Sequence, residues 1–169
     1  ITISAAIVIV DSHFPVVRFA ELAEEELAAA KNTVCKNGEK EKNRIRFMSH
    51  SFTWTEFTEN LRDVKNTMHT MVSEDNIPKA FLQRIINSFE NSDTTSWKRC
   101  TPPKPFDPAI LWRFHYSFRD IKHKEPFKSN YNDKFFSTPE AYYKKYVWEP
   151  FVSGGEMSQI MPVAARWVE

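Results

Sequence analysis

With 169 residues and a formal net charge of +1, the chain is long enough to bury a hydrophobic core without staples and too balanced to be a dedicated polyanion binder. Apolar residues make up 41% and aromatics 14%, a composition that excludes intrinsic disorder. Three Gly against ten Pro leave Gly-rich phosphate loops without the backbone positions they need, and two Cys are too few for a disulfide framework.

The first ten residues, ITISAAIVIV, are too short to span a bilayer, which takes roughly 18 apolar residues or more. They read as a β-branched strand near 2–10, with the remnant of a processed segment as the alternative. Continuous apolar character fits a strand buried on both faces better than an edge. Asp11-Ser12-His13 follows, and Pro15 suits the start of a helix over 16–31, with Val17, Ala20, Leu27 and Ala28 on one side and Glu21, Glu24 and Glu25 on the other. Asn37-Gly38 is a turn signal inside a charged, solvated segment. Ile45 and Phe47 then alternate, giving a strand near 44–49.

Trp54, Phe57, Leu61, Val64, Met68 and Met71 recur at steps of three and four, the cleanest helical stripe in the chain. Thr53-x-x-Glu56 is the capping box that starts it, and Ser73 to Asn76 ends it. Pro78 opens a second helix to about Glu90, so 54–90 reads as an antiparallel helical hairpin. Residues 91–106 read as a crossover stiffened by proline and anchored by Trp97 and Phe106. Asp107-Pro108 caps a helix over 108–121. Ser137-Thr138-Pro139-Glu140 opens another over 139–148, which Pro150 should stop. Gly154-Gly155 is a turn, and a closing strand is expected near 162–168. The fold class is mainly α with a small β component (α+β). The hairpin 54–90 packs against helices 108–121 and 139–148, all within a single globular domain, 1–169.

No catalytic or cofactor motif stands above background, and neither the histidines nor the cysteines have metal-ligand spacing. Asp11 and His13, at the end of a predicted strand, with His115, are the candidate catalytic residues of a small enzyme, because polar groups past strand ends line ligand crevices. Phe57, Met68, Met71, Phe81, Phe89, Phe114 and Phe118 offer an alternative, a pocket for a hydrophobic small ligand. Charge is uneven: residues 1–90 carry 11 basic and 13 acidic side chains, residues 91–149 carry 11 and 7. In the second stretch basic residues interleave with aromatics, including Trp112. This points to a basic, aromatic-rich surface, about 97–148, presented to a protein partner, as in an accessory subunit. Trp97, Arg113, Tyr116, Arg119, Lys122, Tyr142, Tyr143 and Trp148 are its candidate binding residues. Single-stranded nucleic acid is the weaker occupant. Cys35 and Cys100 read as free thiols, which suits a soluble intracellular protein, with a single bridge between them as the alternative.

Overall fold

The computed structural model describes residues 2–32, 42–90, 107–153 and 158–169. Cys35, Asn37-Gly38, Cys100, the crossover 91–106 with Trp97, and Gly154-Gly155 lie outside them. Close contacts divide the chain into two compact units, one ending at Asn60 and the other starting at Leu61.

In the first unit, β1 (Ala5–Ile7) leads into α1 (Val16–Lys31) and back to β2 (Arg44–Phe47), parallel to β1. A tight hairpin then returns as β3 (His50–Thr53), giving the order β1-β2-β3. The strand near 162–168 is thus absent from the sheet, and β3 supplies the third strand. Pairing sets Ala5 and Ile7 beside Ile45 and Phe47 on one face, where Phe47 meets Phe57 edge-on at 5.6 Å. On the other face, beside Ala6, the Arg46 guanidinium donates to Glu26 of α1. The hairpin turn places Met48 and Ser49 at φ 48° and 63°, the left-handed pair a two-residue turn requires. β1 differs from expectation. It lies at the sheet edge rather than buried on both faces, and Ile3, Ile7 and Ile9 are exposed.

The capping box is formed. Glu56 accepts from the Thr53 backbone N–H at 2.8 Å, and the Thr53 hydroxyl accepts from the Glu56 N–H at 3.2 Å. Thr53→Ala is expected to cost about 1 kcal/mol, readable as a lowered urea midpoint with an unchanged slope. Trp54 fixes the preceding chain by donating its indole N–H to the Ile3 carbonyl at 2.9 Å.

The stripe runs as one helix with a wide π-helical turn, Glu56–Leu61, before α2 (Arg62–Ser73). In the second unit Leu61, Val64, Met68 and Met71 are fully buried. Asn76, at φ 54°, ends α2 in a left-handed cap, with the Ile77 N–H reaching back to the Met71 carbonyl at 2.9 Å. Next come α3 (Ala80–Glu90), α4 (Ala109–Ser117) and α5 (Phe127–Asn130), then the π-helical segments Asp133–Ser137 and Lys144–Trp148. α6 (Glu149–Val152) continues past Pro150, which falls in its first turn, where the missing N–H is not needed.

Residues 162–168, expected as a strand, belong to α7 (Ile160–Val168). A short apolar run fits a buried helix as well as a strand, and Pro162 is tolerated because it sits in the first turn. Residues 160–165 are all buried, and both α2 and α3 pack closely on α7. The fold is mainly α with one small sheet. Behind α3 and α4 the core is aromatic: Phe81, Phe114, Phe127 and Phe135 all contact Phe118, with centroids 4.8 to 5.6 Å away.

Candidate functional site

α4 begins as its sequence dictates. Asp107 accepts from the Ala109 N–H at 2.9 Å, and Ile110 and Phe114 are fully buried. That orientation sends Trp112 and Tyr116, one helical turn apart, outward, 80% and 64% exposed. Arg119 lies one further turn along, with its guanidinium 4.5 Å from the Tyr116 ring centre.

Between α3 and the α4 region lies an open groove of about 450 Å³, lined by Arg84, Asn87 and Ser88 from one side and Arg113, Tyr116, Ser117, Arg119 and Asp120 from the other. Among the described residues, two of its three arginines pair with the Asp120 carboxylate. Asp120 takes Arg84 at 2.8 Å and Arg119 at 3.4 Å, and these partners hold its carboxyl below the usual range, Arg84 most. Arg113 pairs instead with Asp107, at 3.5 Å. Such solvent-exposed pairs contribute little to stability, so an incoming carboxylate can exchange into them readily. Ser88 and Ser117 donate their hydroxyls to backbone carbonyls at 2.7 and 2.6 Å and serve as walls.

Of the candidate binding residues, Arg113, Tyr116 and Arg119 thus converge on one groove. Lys122 stands apart, its ammonium 4.4 Å from the Phe136 ring centre. Tyr143 is half-buried and stacks on Phe114 at 5.8 Å, and burial raises its pKa. Trp148 is partly exposed beside Phe151. Tyr142 is buried. Its hydroxyl donates to Asp63 at 2.6 Å and lies 2.9 Å from the Thr67 hydroxyl, and Lys134 donates to Asp63 at 3.0 Å and to Thr67 at 2.7 Å. That network ties α2 to the 133–142 segment. The sequence reading missed Arg84, Asn87 and Asp120. Their only signal was Arg84 and Asn87 on the polar side of α3, which says nothing about α4 opposite.

Asp11 and His13 lie on the first unit and His115 on the second. Asp11 accepts from the His13 backbone N–H at 2.9 Å and contacts its ring nitrogen at 3.2 Å, and both side chains are solvent-exposed. The backbone bond, and after it the ring, lowers the Asp11 pKa. This is a local turn ahead of α1. His115 lies 4.4 Å from Tyr143 and stacks on Phe136 at 5.4 Å, and partial desolvation, then the Lys122 charge, lowers its pKa. Among the described residues no cluster of three or more His, Cys, Asp or Glu could hold a metal, and no helix is long and apolar enough to cross a membrane. The rings considered for a hydrophobic pocket meet one another, Phe81 with Phe118 at 4.8 Å and Phe89 with Phe114 at 6.0 Å.

No protein-family model, curated protein or solved structure matches this chain.

Proposed function

We propose that the chain is a protein-interaction module that receives an acidic segment of a partner along the α3–α4 groove. The observation that carries this reading is the charge at the groove, where among the described residues Arg84, Arg113 and Arg119 meet two aspartates, Asp120 and Asp107, beside the outward-facing Trp112 and Tyr116. Arginine and large aromatics are the side chains that anchor protein interfaces, and they order with little loss of rotamer freedom per contact. Guanidiniums engage carboxylates in pairs of parallel hydrogen bonds, which makes the partner's acidic residues the natural counterpart.

A photo-crosslinking amino acid at position 112 tests this in the source cells. A discrete adduct is expected, and it should be lost when Arg113→Glu and Arg119→Glu are combined in the same chain. Diffuse labelling, or an adduct indifferent to the charge reversal, would refute the reading. Titration with oligodeoxythymidine separates the weaker alternative, because tight, strongly salt-dependent binding there would assign the groove to nucleic acid.

A further inference from the structure

The chain carries, in its first unit, an exposed helix whose chemistry complements the groove. α1 packs on β1 and β2, with Ala30 fully buried and the Glu26 carboxylate holding Arg46. That orientation turns Val16, Val17, Ala20, Glu21, Glu24 and Glu25 to solvent. Val16 and Val17 are 80% and 73% exposed. From Ala20 to Ala28 the solvent-facing residues bring three carboxylates and no cation. Among the described residues none of the three pairs with a Lys or Arg side chain. Glu21 stands one turn from both Glu24 and Glu25, and like charges at that spacing destabilise a helix. Cations set against this face relieve the repulsion.

We infer that the acidic segment received by the α3–α4 groove is α1 of a second copy of this chain, which rests on the proposed function of that groove. Charge complementarity selects this occupant. Three carboxylates meet Arg84, Arg113 and Arg119, whose own exposed aspartate pairs exchange readily. Apolar surface matches as well. Val17 lies one turn ahead of Glu21, and Trp112 and Tyr116 lie beside the groove arginines, so on both surfaces an apolar turn adjoins a charged one. Burying the two valines against the two rings removes from water the apolar side chains that each surface exposes. Donor helix and acceptor groove are different surfaces of the chain, so the contact is heterologous. Reversing the charge of either surface alone sets like charges face to face, and reversing both restores the fit.

Sedimentation equilibrium of the whole chain tests this. At about 0.05 M salt the mass is expected to rise with protein concentration, and at about 0.5 M salt the association should weaken. Arg113→Glu with Arg119→Glu should raise the dissociation constant at least tenfold, and so should Glu21→Lys with Glu24→Lys and Glu25→Lys. An equimolar mixture of the two reversed chains should associate again, as should one chain carrying all five substitutions, which a folding defect would not allow. A chain that stays monomeric up to about 1 mM overturns the inference. Association that either reversal leaves intact, or that neither the mixture nor the five-substitution chain recovers, also overturns it. The crosslink from position 112 keeps the two readings apart. An adduct of twice the chain mass supports the second copy, whereas a charge-dependent adduct of another mass from a monomeric chain overturns the second copy and leaves the groove an acidic-segment site.

Discussion

Phe118→Ala is expected to destabilise the second unit by about 3–5 kcal/mol, the cost of deleting a large ring from a packed core that collapses only partly around the cavity. Phe118 is fully buried just past the end of α4, with Phe81 edge-on at 4.8 Å, Phe114 at 4.9 Å and Phe136 perpendicular at 4.9 Å. Phe127 and Phe135 complete the shell at 5.6 and 5.1 Å. These rings come from α3, α4 and the 127–137 segment, so one substitution removes contacts that join three parts of the chain. Trp112→Ala, a deletion of a larger ring from α4 itself, should change stability by no more than about 0.5 kcal/mol, because that side chain is 80% exposed. Urea unfolding of both variants decides the matter. Comparable losses would mean that α4 is turned the other way, and the groove assignment would fall with it.

That contrast between Phe118 and Trp112 also shows what the sequence made readable. Stripes at steps of three and four reported the buried sides of α2, α3 and α4, because helix periodicity is local and the residues that fill the core must sit on one face. Caps were equally local: Thr53 with Glu56, and Asp107 ahead of α4, both form the bonds their spacing implies. Features decided by distant partners were not readable. α7 looks like a strand because its apolar run has no polar face to set a period, and burial against α2 and α3 made it a helix. The two-residue turn at Met48 and Ser49 carries neither Asn nor Gly, so hairpin geometry overrides the usual left-handed preference there. β1 reads as a fully buried strand, yet among the described residues it pairs with a strand on one edge only and Ile7 is exposed. The candidate groove was half legible. Trp112, Tyr116 and Arg119 fall at helical spacing, whereas Arg84 meets Asp120 from 36 residues away.

Raising the pH above about 10 is expected to unfold the second unit through two phenols, and the sign follows from where their protons are held. Tyr142 donates its hydroxyl to Asp63, and Tyr131 donates its own to Asp75. Burial first, and the neighbouring carboxylate after it, raise both pKa values well above the ordinary phenol range. A phenolate formed in place would be desolvated and set against a carboxylate, so each folded tyrosine keeps its proton at a pH where the unfolded chain releases it. Their contribution to stability is therefore complete below pH 10 and is lost progressively as pH rises toward the folded values. The slope approaches about 1.4 kcal/mol per pH unit for each tyrosine. Urea midpoints measured from pH 8 to pH 11.5 should fall steeply beyond pH 10, while the 295 nm absorbance of newly exposed phenolate rises. Tyr131→Phe combined with Tyr142→Phe should be less stable at pH 8, by about 1–3 kcal/mol in all for the lost hydrogen bonds, and should show a much flatter profile above pH 10. An equally steep fall in the double variant would place the alkaline transition elsewhere. It would also mean that the Asp63, Thr67, Lys134 and Tyr142 network does not hold α2 against the 133–142 segment.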